Sequence, residues 1–200
     1  MNTTQPIRNT NDLDRIKNYY KNVSPNSRNY LLIVLGLNTA LRISDELSLK
    51  WEDVFDFSTG EFLTHISLAE KKTGKAAYVY LNSQVLSALS DYKSCLPDIK
   101  PHDYIFLSRK NKEMPITRVQ AFRVIKKAVN HYSINDTISC HSLRKTFGYH
   151  AWKQGVAPVL LMDVYNHTSF TVTKRYLGIK QDDRDEVFKS VNIQNIMRTV

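Results

Sequence analysis

Residues 141–176 carry the side chains of this sequence that are best suited to chemistry. His141 and Arg144 lie three positions apart, so on a helix they face the same side. A second histidine, His167, follows, and nine positions after it comes Tyr176. A guanidinium can hold phosphoryl oxygens, an imidazole can move protons, and a phenol can attack phosphorus. These residue types favour phosphoryl transfer with a tyrosine as the nucleophile.

Each of these residues, taken alone, has an ordinary explanation. The chain has 11 tyrosines, and a tyrosine is far more often a packed aromatic with a hydrated hydroxyl than a nucleophile. A histidine at a helix start is more often a capping or surface group than a proton donor. The functional interpretation therefore depends on whether the preceding part of the chain supplies the remaining groups.

A second arginine precedes this region. Arg42 lies at the entrance to a short helix that Ser44, Asp45 and Leu47 predict. An arginine near an acid is usually part of an exposed ion pair, which would make Arg42 a surface partner of Asp45. A buried Arg42 would instead need that acid to keep its guanidinium fixed.

The combination resembles the catalytic domain of the tyrosine recombinases, the phage integrase family. That family has an Ala-Arg-x-Ser-Glu-x-Leu segment, a His-x-x-Arg motif, a second histidine in a segment like Leu-Gly-His, and a tyrosine nine residues later. The resemblance implies that Asp45 supports the first arginine. The catalytic residues that it implies here are Arg42, His141, Arg144, His167 and Tyr176. One departure is that Tyr165-Asn166 replaces the usual Leu-Gly, which should alter the local packing.

Residues 54–81 predict a three-stranded antiparallel sheet, because β-branched and aromatic runs alternate with turns. The second turn carries several lysines, which are solvated by default. In the resembling family a lysine of this hairpin protonates the leaving 5′ oxygen. Lys72 matches that lysine best, and Lys71 and Lys75 remain open. The predicted strands are 54–57, 62–68 and 77–81.

The rest of the chain is predicted to be helical, from apolar spacing and capping residues. The fold class is therefore mainly α with a small three-stranded antiparallel sheet (α+β), and the resemblance implies the tyrosine recombinase catalytic-domain fold. The predicted helices include 29–39, 83–95, 117–132, 141–153, 158–164, 169–176 and a last amphipathic helix over 185–197.

The net charge of +9 suggests a polyanionic partner, although a merely basic enzyme fits the charge equally well. The resemblance makes double-stranded DNA the expected partner. Basic loops and helix faces near the motif residues are candidates for contact with the phosphate backbone. These candidates are Lys71, Lys75, Arg109, Lys110, Arg118, Arg123, Lys126, Lys174 and Arg175.

Cysteine usage and hydropathy favour a cytoplasmic protein. Cys95 and Cys140 have neither metal-ligand spacing nor a disulfide pattern. No apolar run approaches the length of a membrane span, and the N-terminus lacks a signal-peptide pattern. We expect no metal, because the sequence has no carboxylate cluster of the kind that a two-metal nuclease uses, and we expect no other cofactor.

The domain organisation follows from the position of Arg42. Only 41 residues precede it, too few for the separate core-binding domain of most family members. We expect a catalytic domain over 1–183 and a C-terminal helix over 184–200 that docks on a neighbouring subunit or on its own domain. The chain is then a short form similar to the fimbrial-type invertases, or a fragment of a longer integrase.

The function implied by the resemblance is site-specific recombination, that is, integration, excision or inversion of DNA by a DNA-bound tetramer. Strands would be cleaved and rejoined through a 3′-phosphotyrosine, without metal or ATP. Two alternatives remain open. One is a DNA-binding accessory protein or inactive relative, and the other is a strand transferase similar to type IB topoisomerases.

Overall fold

The computed structural model describes residues 4–111, 113–134 and 137–191. Helices dominate these ranges, and four short strands follow the third helix. A π-helical turn at Tyr19–Val23 continues the first helix. The helices are α1 (Thr10–Asn18), α2 (Ser27–Asn38), α3 (Ile43–Glu46), α4 (Ser83–Ser94), α5 (Arg118–His131), α6 (Cys140–Lys153), α7 (Pro158–Val164), α8 (Phe170–Leu177) and α9 (Gln181–Ser190). The strands are β1 (Phe55–Asp56), β2 (Glu61–Phe62), β3 (His65–Ala69) and β4 (Ala76–Tyr80).

Helix α2 is the central helix of the fold. Asn26 caps its start by accepting a hydrogen bond from the Asn29 amide at 3.0 Å. Residues 31–36 are all buried, because α1, α4, α5 and α6 pack around the helix. The prediction of a core helix in this segment is confirmed, and its lack of a polar face is explained by neighbours on every side.

Three clusters of buried apolar side chains fill the interior. The first joins α2 and α4 to the strands and includes Phe55 and Ile66, and the second joins α2 to α1 and α5 and includes Ile33 and Ile125. The third is smaller and lies where α6, α7 and α8 meet. Its buried members are Ala40, Leu161, Tyr165 and Leu177, with Tyr176 partly buried against them.

The strands form two hairpins, which corrects the prediction of a single three-stranded sheet. β1 pairs with β2, and β3 pairs with β4, both antiparallel. The predicted run 62–68 is interrupted because the chain changes partners within it. The Leu63 amide donates to the Val54 carbonyl at 2.9 Å, whereas the Thr64 carbonyl accepts from the Leu81 amide at 2.9 Å. The predicted mainly helical fold with a small antiparallel component is confirmed.

The β3–β4 hairpin projects the predicted lysines. Its register runs from His65 opposite Tyr80 to Ala69 opposite Ala76. Residues 70–75 form the tip, closed by a hydrogen bond from the Glu70 amide to the Lys75 carbonyl at 2.9 Å. Glu70 is buried, whereas the rest of the tip is exposed. The hairpin therefore turns a carboxylate toward the protein and its lysines toward solvent.

Helix α9 begins before the predicted boundary at residue 184. Its first turn contacts its own domain, because Asp183 pairs with Lys153 at 3.1 Å and with Arg8 at 3.4 Å. The predicted helix over 185–197 is observed as far as Ser190, and residues 192–197 lie outside the described residues. Among the helices of the described ranges, none has the length and apolar character needed to cross a membrane.

Candidate active site

Two well-capped helices position the motif residues. Ser139 caps α6 by accepting a hydrogen bond from the His141 amide at 3.3 Å, and this fixes the turn that carries His141. Ser169 caps α8 by accepting from the Thr171 amide at 3.2 Å, and Tyr176 lies in the last turn of α8. Serine at both N-caps satisfies amides that have no partner within their own helix.

The structure brings the predicted tyrosine and both predicted histidines together. The ring centroid of Tyr176 lies 4.9 Å from that of His141 and 4.5 Å from that of His167, in edge-to-face arrangements. The guanidinium carbon of Arg144 is 5.9 Å from the centroid of the same tyrosine ring. Residues separated by more than thirty positions thus surround one phenol.

Arg144 is buried, with only 2% of its surface exposed. Two main-chain carbonyls hold its guanidinium: Nη1 donates to the Ala40 carbonyl, and Nη2 donates to the Tyr165 carbonyl at 2.9 Å. Ala40 itself has a positive φ of 54°, an unfavourable conformation for a residue with a Cβ. Carbonyl partners orient the guanidinium without cancelling its charge, so Arg144 remains a cation available to an anion.

The acid that pairs with Arg42 is Glu70, not the predicted Asp45. Nη1 of Arg42 forms an ion pair with Oε1 of Glu70, whose side chain is 3% exposed. Oδ1 of Asp45 accepts a hydrogen bond from the Lys71 amide at 2.9 Å. The Asp45 carboxylate therefore holds the backbone of the hairpin that carries Glu70. Burial alone would raise the pKa of Glu70, but hydrogen bonds from Arg42 and Thr73 outweigh it, and the pKa is lowered.

Both histidines are neutral at neutral pH. Burial, followed by the positive charges of Lys145, Arg144, Arg42 and Lys72, lowers the pKa of His141 to about 4. Burial, followed by Arg144 and Arg42, lowers the pKa of His167 to about 4 as well. A neutral imidazole is able to accept a proton, which the protonated form cannot do.

A threonine on α8 orients the second imidazole. Nδ1 of His167 lies 3.0 Å from Oγ1 of Thr173, which is buried. In the tautomer in which Nδ1 accepts from Thr173, Nε2 of His167 carries the proton and can donate to a bound oxygen. Thr173 lies three residues before Tyr176 on the same helix, so one helix carries both the predicted nucleophile and the group that orients its neighbour.

The predicted lysines and DNA-contacting cations occupy different surroundings. Lys72 is exposed, and its charge acts on His141. Nζ of Lys75 is 3.4 Å from the Asn166 carbonyl. Lys126 is half-buried. The remaining predicted contacts are exposed, namely Lys71, Lys75, Arg109, Lys110, Arg118, Arg123, Lys174 and Arg175. Within the described part of the chain, no three His, Cys, Asp or Glu side chains are grouped so that they could share a metal ion.

Comparison with known proteins decides the family. The sequence profile of the phage integrase family matches residues 9–182. The chain belongs to this family. The probable integrase/recombinase YoeC of Bacillus subtilis (strain 168) is 33% identical over 189 residues, covering 94% of this chain and 97% of that protein. The TnP I resolvase of Bacillus thuringiensis is 33% identical over 162 residues, and these cover 78% of this chain and 51% of that protein.

Solved structures share the fold of this family member. The crystal structure of XerA recombinase has a TM-score of 0.75 and 19% identity, over 94% of this chain and 64% of that one. A lambda integrase (75-356) dimer bound to a COC′ core site has a TM-score of 0.68 and 18% identity, over 96% and 65%. The fold is the tyrosine recombinase catalytic-domain fold. The chain spans about half the length of the TnP I resolvase and under two thirds of the XerA chain.

The departure from the Leu-Gly-His pattern has a structural explanation. Asn166 has a φ of 54°, the left-handed region that glycine adopts freely and that asparagine tolerates better than most residues. Tyr165 is fully buried, and its hydroxyl donates to the Arg144 carbonyl at 2.8 Å. Gly148 makes room for it, because a Cβ there would lie 2.1 Å from the Tyr165 hydroxyl oxygen. The tyrosine ring stacks on His167, with centroids 5.0 Å apart.

Sequence reasoning missed several residues of the site. Lys145 lies one turn after His141, and its Nζ is 5.9 Å from the Tyr176 ring centroid. Its signal was the i, i+4 spacing from His141. Thr173 had a similar signal in its helical spacing from Tyr176. Glu70 had none, because only the folding of the hairpin brings it to Arg42.

The close contact between residues 148 and 165 predicts an unusual substitution effect. Alanine normally stabilises a helix relative to glycine by about 1 kcal/mol. We expect Gly148→Ala to destabilise the protein instead, by about 1–3 kcal/mol, because the new methyl group overlaps the Tyr165 hydroxyl. Chemical denaturation of purified protein measures this change. Adding Tyr165→Leu should recover most of the loss, and a Gly148→Ala protein as stable as the wild type contradicts the contact.

The electrostatics of the site predict a titration. Of the 6 histidines, His141 and His167 should titrate near pH 4. NMR of protein labelled at histidine Cε1 measures each titration midpoint. The His141→Asn and His167→Asn variants assign the two signals. The unfolded chain takes up these protons below about pH 6.5. The free energy of unfolding should therefore fall as the pH drops from about 6.5 to 4. A midpoint at pH 6 or above for either histidine contradicts the description of the site.

Proposed function

We propose that this chain is a site-specific DNA recombinase that cleaves and rejoins strands through a 3′-phosphotyrosine, without a metal or ATP. The observation that carries the proposal is the position of Tyr176, whose ring meets two neutral imidazoles and lies beside the buried Arg144. A phenol with proton acceptors and fixed cations around it is equipped to attack a phosphodiester.

Each group has a role in a balanced reaction. The Tyr176 oxygen forms a bond to phosphorus as the bond from phosphorus to the 5′ oxygen breaks. His141 takes the phenolic proton, and Arg42 and Arg144 hold the two nonbridging oxygens, on which charge grows in the transition state. His167 donates a hydrogen bond to one of them. Attack by a 5′-hydroxyl on the phosphotyrosine reverses these steps and releases the tyrosine.

The proton for the leaving 5′ oxygen is assigned to Lys72. Its charge contributes to the lowered pKa of His141, and its side chain is exposed at the hairpin tip. Lys71 is held through its backbone to Asp45, and the amine of Lys75 lies by the Asn166 carbonyl. The exposed position of Lys72 at the hairpin tip leaves its amine free to follow a bound strand.

Double-stranded DNA is the proposed partner. The structural relatives include a Tn1549 transposon integrase in complex with a circular intermediate DNA and a XerH recombinase bound to difH substrate. The net charge of +9 favours a polyanion. We propose that the exposed cations named above contact phosphates and that they contribute to affinity more than to sequence choice.

We further propose a catalytic domain over residues 1–183 and assembly into a tetramer on DNA, with the C-terminal helix exchanged between subunits. The support for exchange is the apolar surface that α9 leaves uncovered. Val187, Phe188 and Val191 are 56%, 80% and 61% exposed. Three large apolar side chains on one short segment are unfavourable in water, and a neighbouring subunit would cover them.

Covalent trapping tests the reaction. The protein is incubated in EDTA with nicked suicide duplexes tiled across the DNA that flanks its own gene, and the products are separated under denaturing conditions. We expect a protein–DNA adduct that Tyr176→Phe abolishes and that Tyr132→Phe, a substitution remote from the site, retains. An adduct that survives in Tyr176→Phe, or that needs a metal, rules out the proposed chemistry. Binding without any adduct favours the accessory-protein alternative.

A sulfur-substituted substrate tests the hairpin lysine. A 5′-bridging phosphorothiolate has a leaving group that needs no proton, so loss of the general acid should no longer matter. Lys72→Ala should slow cleavage of the ordinary substrate by about a hundredfold or more, within the usual range for a general acid, and cleave the sulfur substrate at nearly the wild-type rate. Lys71→Ala and Lys75→Ala are the matched variants, and rescue of either one in place of Lys72→Ala reassigns the role.

A further inference from the structure

The N-terminal segment of residues 4–9, here called the N-terminal strap, lies along helix α6. The Ile7 amide donates to Oγ1 of Thr146 at 2.8 Å, and Nε2 of His150 lies 2.9 Å from the Ile7 carbonyl. Nζ of Lys145 donates to the Thr4 carbonyl at 2.6 Å. The Ile7 side chain is 1% exposed. Side chains on successive turns of α6, the helix that carries His141, therefore hold main-chain groups of the strap by hydrogen bonds. Burial of the Ile7 side chain holds the strap further.

The same strap holds the end of the helix that carries Tyr176. Nη2 of Arg8 donates to the carbonyl of Gly178, the left-handed residue that terminates α8. Nη1 of Arg8 pairs with Oδ2 of Asp183 at 3.4 Å, in the first turn of α9. The guanidinium carbon also lies 4.9 Å from the ring centroid of Tyr149 on α6. One side chain thus joins α6, the end of α8 and the start of α9.

Close packing between the strap and Gly178 adds to the hydrogen bond from Arg8 to the Gly178 carbonyl. A Cβ at position 178 would lie 3.0 Å from Cγ of Pro6, so the strap rests directly on the helix end. The Lys145 amine that donates to the Thr4 carbonyl is also 5.9 Å from the Tyr176 ring centroid. The strap therefore contacts both the end of the helix that carries Tyr176 and a lysine that lies near the Tyr176 ring.

We infer that Arg8 is a positioning residue for the nucleophile. By holding the Gly178 carbonyl, Arg8 sets the position at which α8 ends and thereby the position of the Tyr176 ring against the two imidazoles. The inference rests on the proposed role of Tyr176. A guanidinium suits the task, because its fork reaches a carbonyl and a carboxylate at once, whereas a lysine amine is a single point of contact.

Besides the dissociation constant for DNA, two measurements test this inference. The first is hydrogen exchange of the α8 amides in wild type, Arg8→Ala and Arg8→Lys, which needs no DNA. The second is single-turnover cleavage of the trapping duplex with either a 5′ oxygen or a 5′ sulfur leaving group. Arg15→Ala is the matched control, because Arg15 is an exposed arginine of α1 whose side chain, among the residues that the structure describes, pairs only with Asp12, at 3.5 Å.

We expect Arg8→Ala to speed exchange of the α8 amides and to slow cleavage by about ten- to a hundredfold, since small misplacements of a reacting group have effects of that size. Both leaving groups should be slowed alike, because the defect lies in the attacking group. The dissociation constant for DNA should stay within twofold. Arg8→Lys should fall between, and Arg15→Ala should match the wild type. Asp183→Asn, which leaves the Gly178 contact in place, should retain cleavage within about threefold.

Several results would overturn the inference. Unchanged exchange with unchanged cleavage means that Arg8 does not hold the helix. Rescue by the sulfur leaving group places the defect in protonation, and a loss confined to DNA affinity places it in binding. If Arg8→Ala does not fold, Arg8→Lys decides between these outcomes. If wild-type protein forms no adduct, the proposed function fails, while the exchange experiment still decides whether the strap positions α8.

Discussion

The arrangement of this site depends on a buried guanidinium that donates hydrogen bonds to two main-chain carbonyls. Arg144 draws together the connection before α3, helix α6 and the connection before α8, because its two amino groups bond to Ala40 and Tyr165. An isolated charge in a protein interior is strongly unfavourable unless its hydrogen bonds are met. The three segments must therefore meet correctly for the domain to fold, and the same meeting places Tyr176 beside both histidines.

The two arginines are held in contrasting ways. Arg42 has a carboxylate partner on the β3–β4 hairpin, whereas Nη1 and Nη2 of Arg144 donate to carbonyl oxygens and its buried Nε has no partner among the described residues. The site consequently keeps an excess of positive charge, with Lys145 adding to it. That excess, together with burial, keeps the histidines neutral. Because of this excess of positive charge, the site is electrostatically complementary to an anion such as a phosphodiester.

Local signals in the sequence predicted the helices well. Thr117 and Asn82 cap α5 and α4 as their residue types suggest, and the predicted bounds 117–132 compare with an observed helix over Arg118–His131. Helical spacing also placed His141 and Arg144 on one face. The strand pairing was not predictable in this way, because the change of partner between Leu63 and Thr64 depends on residues far along the chain.

The spacing of motif residues could not predict the remaining parts of the site either, because their contacts also join residues far apart along the chain. Glu70 reaches Arg42 only through the hairpin, and the carbonyl of Ala40 has no side-chain signature at all. The space that Gly148 leaves for Tyr165 had no signal in the sequence either, because the two residues lie on segments that only the folded chain brings together. The resemblance implied roles for single residues, whereas only the folded structure shows which groups hold those residues in place.

The backbone at Ala40 and Asn166 limits how this sequence can vary. The Ala40 carbonyl accepts a hydrogen bond from Arg144, and Asn166 directly follows Tyr165, whose carbonyl accepts the other. Both Ala40 and Asn166 have φ angles in the left-handed region. A β-branched side chain at either position would cost about 1–2 kcal/mol in backbone strain and would tend to turn the carbonyl away. A library that randomises both positions should therefore return mostly glycine, asparagine and aspartate among its folded members, together with the native alanine at position 40.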